Sequence, residues 1–251
     1  MSSVTISSIT FAFAFGGAML GMSLRTVLPN HHMNSDSKDA VKVAMALVST
    51  MSALALGMLI ASAKSSYDTQ KNELTDMSSK VILLDRVLAH YGPESMEARD
   101  QLRNSVVGAI DQMWSKDRTG LSQTAPSSAS SEDLYDKIQT LSPKNDAQRS
   151  IQSQALSIVI GLGQIRWLMY EQRAGSGSVP LLMVLIFWLT ALFISFGLFA
   201  PRNATVCVTL LISAISVSCA ILLILDMSTP YAGLIRLSDA PLRSALAHLG
   251  R

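Results

Sequence analysis

"AMALVSTMSALALGMLIASAKSSYDTQ", residues 44–70, opens as a membrane span and closes as a polar helix, with nothing inside it that would end a helix. Helices stop at glycine caps and prolines, and no Gly-Pro break or cap separates Ala40 from Tyr91. The spacing therefore predicts one helix over 40–91, about 75 Å long at the standard rise and roughly twice the thickness of a bilayer core. Within its apolar part, Ala46, Thr50, Ala53, Gly57, Ala61 and Lys64 recur at spacings of three and four along one stripe. Leu47, Met51, Leu54 and Met58 form a bulkier stripe beside it. Beyond the apolar part the small stripe continues as a polar ladder through Lys64, Asp68, Lys71, Thr75 and Ser79. Two explanations stand side by side. Small residues let helix backbones approach closely, or the stripe, with Ser49 and Ser52 next to it, lines a narrow water-filled path. The candidate conduit residues are Ala46, Thr50, Ala53, Gly57, Ala61, Lys64, Asp68 and Lys71.

The composition agrees with a membrane setting. Of 251 residues, 49% are hydrophobic and 15% charged, and mean hydropathy is +0.34, whereas soluble domains carry about a quarter charged residues. A net charge of +2 is too small to mark a nucleic-acid binder. Cys207 and Cys219 lie twelve positions apart in one apolar run. That is about 18 Å on a helix, far beyond the roughly 7 Å limit for a disulfide.

Four stretches are long enough to cross hydrocarbon as helices: 4–24, 41–63, 180–199 and 204–225. "MSSVTISS" lacks the basic residues of a signal peptide, so the first stretch reads as a retained span. Its Gly17 and Gly21 form a small-xxx-small pair suited to close helix contact. The last two spans, joined only by "APRN", predict a tight antiparallel pair.

Between spans two and three lie about one hundred polar residues with helical periodicity throughout. Leu74, Met77, Val81, Leu84 and Leu88 make a packing seam. "YGPES" ends that helix, and Ala98, Leu102, Val106, Ala109 and Met113 mark one face of the next. Residues 117–131 read as a loop, and helix resumes at "SEDLYDKIQTL" and again over 146–172, where "ALSIVIGLG" is too short to span and suits a buried bundle face. "AGSGSVP" is a flexible connector. Lys64, Lys71, Arg166, Arg173, Arg236 and Arg243 flank the spans on this side, against Arg25, Lys38, Arg202 and Lys42 on the other. The positive-inside rule puts the insert and both termini in the cytoplasm.

The chain has no HExxH, GxSxG or Walker sequence and no Cys or His grouping at metal spacing. No catalytic residue, metal or cofactor is expected, and an enzyme is not. Spans two to four carry no ionisable residue in their interiors, which argues against a coupled transporter. His31 and His32 read as part of a solvated outer loop, with pH sensing or metal binding as the alternative, and Asp36 as the cap of span two with Asp39 in its first turn. Asp226 closes span four, Pro230 and Gly233 turn the chain, and Ser238 caps a short helix bearing Leu242, Leu246 and Leu249. Asp226 reads as a structural corner or as part of an ion path.

"LPNHHMNSDSKD", "ALGMLIASAKSSYDTQ", "VILLDRVLAHYGPESMEARDQLR" and "LDMSTPYAGLIRLSDAPLRSAL" together resemble a bacterial membrane-protein family labelled bestrophin-like domain, a family of unestablished activity. The resemblance covers nearly the whole chain, with Tyr-Gly-Pro-Glu and Asp-x-x-x-Pro-x-x-Gly its most specific pieces. It implies a layout like that of bestrophins, oligomeric ion channels whose second membrane helix lines a pore continuing into a helical cytosolic region. Two departures stand out. Bestrophins place phenylalanines on that helix, whereas no aromatic residue occurs here between Val41 and Ser66, and no acidic cluster carries over as a calcium site.

The expectation is thus an all-α membrane protein with four transmembrane helices and a helical cytosolic bundle inserted between spans two and three. Its parts are spans one and two (1–63), the cytosolic domain (64–178), spans three and four (179–226) and a cytosolic tail (227–251). The expected function is an ion channel of the bacterial inner membrane, embedded in the lipid bilayer and passing inorganic ions. It would be a homo-oligomer, a pentamer by analogy alone. The alternative is a non-conducting membrane scaffold whose bundle docks a partner protein.

Overall fold

A computed structural model of the chain describes residues 2–27, 35–114, 128–174, 179–231 and 233–250. Among the described residues every regular element is helical: α1 (Ser3–Leu24), α2 (Ser35–Tyr91), α3 (Met96–Trp114), α4 (Ser128–Gln139), α5 (Asp146–Ala174), α6 (Val179–Phe199), α7 (Ala204–Met227) and α8 (Ala240–His248). Four of them, α1, α2, α6 and α7, are long and apolar enough to cross a membrane. His31 and His32, residues 115–127 and most of the "AGSGSVP" connector lie outside the described residues, as does the side chain of Asp36. Asp39, in the first turns of α2, pairs with Lys42 at 3.0 Å.

The long helix is unbroken for 57 residues, about 85 Å at 1.5 Å per residue. It starts at Ser35, ahead of the expected Ala40. It stops where the sequence says it must. Gly92 takes φ +126°, a left-handed backbone that glycine adopts without steric cost, and Pro93 opens a single 3-10 turn, Pro93–Ser95. The carbonyls left at the helix end find donors, as they must when partly buried. Ser95 Oγ donates to Leu88 O at 2.6 Å and Gly92 O at 2.8 Å, and Gln148 Nε2 donates to Tyr91 O at 2.9 Å.

The chain divides into two compact units, 1–67 with 176–235 and 68–175 with 236–251. In the first, α1, α6, α7 and the first part of α2 pack around two apolar clusters. Ala14, Ala18 and Met22 of α1 meet Phe193 of α6 and Leu210 and Ala214 of α7. Leu59 and Ala63 of α2 meet Leu182, Leu185 and Leu189 of α6 and Ile221 and Ile224 of α7. Between lipid-solvated helices apolar burial supplies little drive, so close packing of small residues and buried hydrogen bonds matter more. Gly17 and Gly21 do this work against α6. A Cβ on Gly21 would run into the Ile194 carbonyl oxygen and come within 2.9 Å of Leu198 N, and one on Gly197 would strike the Ala18 carbonyl. Ser7 Oγ donates to Ser218 O at 2.6 Å across α1 and α7. Where α1 and α6 end together, Arg25 donates to Ala200 O and Arg202 donates to Met22 O at 2.7 Å. Each arginine thus satisfies the carbonyl end of the other's helix.

The second unit is a water-type core. The seam Leu74, Met77, Val81, Leu84 and Leu88 is buried along its whole length. On α3 the buried positions are Ala98, Leu102, Val106 and Ile110, with Ala109 and Met113 half-buried, so the packed face is rotated slightly from the expected one. Ala155, Val159 and Leu162 of the "ALSIVIGLG" run are buried while Ile160 is exposed. The last four residues of the expected loop, 128–131, open α4. The C-terminal segment is shared: its residues to Ile235 pack in the first unit, and Arg236 onward packs in the second. The geometric N-cap of α8 is Asp239, while Ser238 Oγ accepts from Ala240 N at 3.2 Å.

Candidate ion-path residues

On α2 the buried positions within the apolar stretch are Ser52, Leu59 and Ala63. At about 100° per residue these three fall on one narrow seam, the seam that meets α6 and α7. Thr50 and Gly57 lie roughly 160° around the helix from it by the same spacing. Ala46, Thr50, Ala53, Gly57, Ala61, Lys64 and Lys71 are all exposed, and Asp68 is half-buried. A Cβ on Gly57 would meet nothing within 4 Å. The bulky stripe of Leu47, Met51, Leu54 and Met58 is exposed as well. Of the four apolar helices α2 is the least covered by its own chain, with 11% of its apolar window buried against 28–39% for the others.

The hydroxyls divide by face. Ser52 turns into the buried seam and donates to Val48 O at 2.7 Å, so it leaves the stripe that it adjoins in sequence. Thr50 Oγ1 donates to Ala46 O at 2.9 Å, spending its proton on its own helix and presenting only oxygen lone pairs outward. Near one end of α2, Ala46 and Ser49 line a cleft of about 550 Å³ with Ser195 and Phe196 of α6 and Thr209 of α7. Where the apolar stretch ends, Lys64 Nζ sits 5.9 Å from the Tyr67 ring centroid, within cation–π reach.

Asp226 is 2% exposed. Its carboxylate accepts the backbone N–H of Leu234 at 3.0 Å and of Ile235 at 2.5 Å. Gly233, at φ +107°, brings its backbone so close that a Cβ would strike that carboxylate. The aspartate therefore holds residues 233–235 against the end of α7. Cys207 and Cys219 are both free thiols.

Two polar groupings of the second unit escaped the sequence reading. Asp85, 2% exposed, receives both Arg99 Nε at 2.8 Å and Nη2 at 2.9 Å, plus Gly250 N at 3.2 Å. Burial alone would raise the Asp85 pKa. The Arg99 and Gly250 hydrogen bonds and the charges of Arg99 and Arg86 outweigh it and hold the carboxyl below its ordinary value. Arg103 Nη2 donates to Leu249 O at 3.0 Å, so Leu249 and Gly250 are each held by a hydrogen bond. The second grouping joins α2 to α5, where Gln172 Nε2 donates to Glu73 Oε1 at 2.7 Å. Asp85 lies fourteen residues from Arg99 across a turn, and Glu73 ninety-nine from Gln172, so no local spacing announces either. Among the described residues no three His, Cys, Asp or Glu side chains gather into a metal-holding group.

A protein family described as bestrophin-like domain matches the chain over residues 12–242. No curated protein and no solved structure gives a significant match.

Proposed function

Because the chain belongs to the bestrophin-like domain family, we propose that it is the subunit of a homo-oligomeric ion channel of the bacterial inner membrane, conducting rather than catalysing. In this reading α2 of each copy faces a shared axis. The observation that carries it is a contrast between two sets of small residues. Gly17, Gly21 and Gly197 are consumed in backbone contact between α1 and α6, while Ala46, Thr50, Ala53 and Gly57 are exposed and a Cβ on Gly57 would meet nothing in its own chain. A second copy placed against the bulky Leu47–Met58 stripe would leave the small stripe turned toward the axis. The polar continuation through Lys64, Asp68 and Lys71 extends that line past the apolar stretch, on the side that the basic residues assign to the cytoplasm.

Ion flux from liposomes bearing the purified chain, with potassium and chloride gradients imposed separately, tests the proposal. The expected result is selective flux that Gly57→Leu alters while the oligomer stays assembled. A folded oligomer that passes neither ion under any gradient refutes it. The second reading, a non-conducting scaffold, has one observation in its favour. Ile160, Trp167 and Leu168 on α5 are each half exposed or more, an apolar face of the kind that a soluble partner would cover.

A further inference from the structure

Gln70 is 2% exposed, and its Oε1 is buried without a hydrogen-bond partner. Buried amides in folded proteins are almost always satisfied, so an exception calls for a cause. Glu73 stands one turn further along the same face of α2. Its Oε1 accepts from Gln172 Nε2 at 2.7 Å, but its Oε2 is buried with no donor, and so is Gln172 Oε1 on α5. Three oxygens from three side chains are thus withdrawn from water, and one of them shares a carboxylate charge. Among the side chains that the structure describes, which do not include that of Arg173, no cationic group pairs with Glu73.

Rearranging the amides does not repair this. Turning Gln172 over would set its oxygen against the Glu73 carboxylate in place of a donor. Turning Gln70 over exchanges one orphan oxygen for an N–H and still leaves Gln172 Oε1 and the charge unmet. A water molecule donates two hydrogen bonds and carries no charge. A cation satisfies several oxygens and balances the carboxylate together. Carboxylate and amide oxygens, with no nitrogen or sulfur among them, are ligands for hard ions, and a single carboxylate balances a single positive charge.

We propose that Gln70, Glu73 and Gln172 form a binding site for an alkali-metal cation, Na⁺ or K⁺, that ties α5 to α2. Water completes its coordination. The site stands whether or not the chain conducts, because it lies inside the second unit and makes no use of the α2 stripe.

Thermal unfolding of the full-length chain in detergent, in NaCl, KCl, CaCl₂ and choline chloride at equal ionic strength, tests the site. Sodium or potassium at several times its dissociation constant should raise the midpoint by about 2–4 °C over choline. Gln70→Leu removes one ligand and Glu73→Gln removes the charge at constant size. Each should abolish the difference between salts. Gln70→Glu, which adds a second carboxylate, should move the preference toward Ca²⁺ and decides the matter together with Glu73→Gln if the leucine variant does not fold. Equal midpoints in all salts overturn the proposal. So does an undiminished response in Glu73→Gln, which would put the cation elsewhere. Stabilisation by calcium alone overturns the assignment to an alkali ion.

Discussion

Substituting alanine for Asp85 removes a carboxylate that takes three hydrogen bonds, two from Arg99 and one from Gly250. The Arg99 side chain is 23% exposed, so its guanidinium keeps partial access to water once its partner is gone. Breaking a fully buried ion pair by deleting one member costs about 3–5 kcal/mol, and partial solvation of Arg99 places this case near the lower end, about 3 kcal/mol. The loss of the acceptor for Gly250 N acts in the same direction. For a chain of this size a kilocalorie shifts the unfolding midpoint by about 2–4 °C, which predicts a fall of roughly 6–12 °C. Circular dichroism of the full chain in detergent measures it. Because the two side chains act as one unit, the double variant Asp85→Ala with Arg99→Ala should fall short of the summed single losses by at least about 1 kcal/mol. The pH dependence has a definite sign. The folded carboxyl titrates below its ordinary value of 3.8, so its stabilisation is complete above that value and disappears as the pH falls through the folded pKa. The gap between wild type and Asp85→Ala should be flat from neutrality down to about pH 5 and close only in stronger acid. A midpoint change under about 2 °C, or strictly additive single variants, would refute the view that this pair holds the second unit together.

Gly197→Val should force α1 and α6 apart at Ala18, costing about 1–3 kcal/mol by overpacking, read as a lower midpoint and as easier proteolysis between the two helices. Gly57→Leu meets no atom of its own chain, so it should leave the midpoint of the detergent-solubilised monomer unchanged; a fall there would show that the stripe packs internally. Asp226→Ala should release the Leu234 and Ile235 amides, and hydrogen exchange at those two positions should quicken while that of α1 does not change. Gly233→Ala carries both a clash with the Asp226 carboxylate and a disfavoured backbone. It should therefore destabilise the turn at least as much as Asp226→Ala does, by the same exchange measurement.

The helical class, the four apolar spans, the uninterrupted helix through residue 91 and the Leu74–Leu88 seam were legible in the residues themselves. Each rests on a local rule: apolar length, a period of 3.6, and a glycine–proline stop. Family kinship was legible too, in the pieces around Tyr91 and Asp226. Gly17 and Gly21 marked a close contact in advance, but only the fold supplied the partner, since Ile194, which both glycines meet, lies 173 residues beyond Gly21. Ser52 shows the limit of stripe reading on a single helix. It adjoins the small stripe in sequence, and tertiary packing turned it into the seam against α6 and α7. Ala109 gave way to Ile110 on α3 for the same reason, because a helix wheel fixes relative angles while the neighbour chooses which angle faces inward. The Asp85–Arg99 pair and the Gln70–Glu73–Gln172 oxygens were invisible for a different cause. A polar residue on an amphipathic helix looks solvated until another element closes over it, and the electrostatic cost that makes it informative exists only after burial.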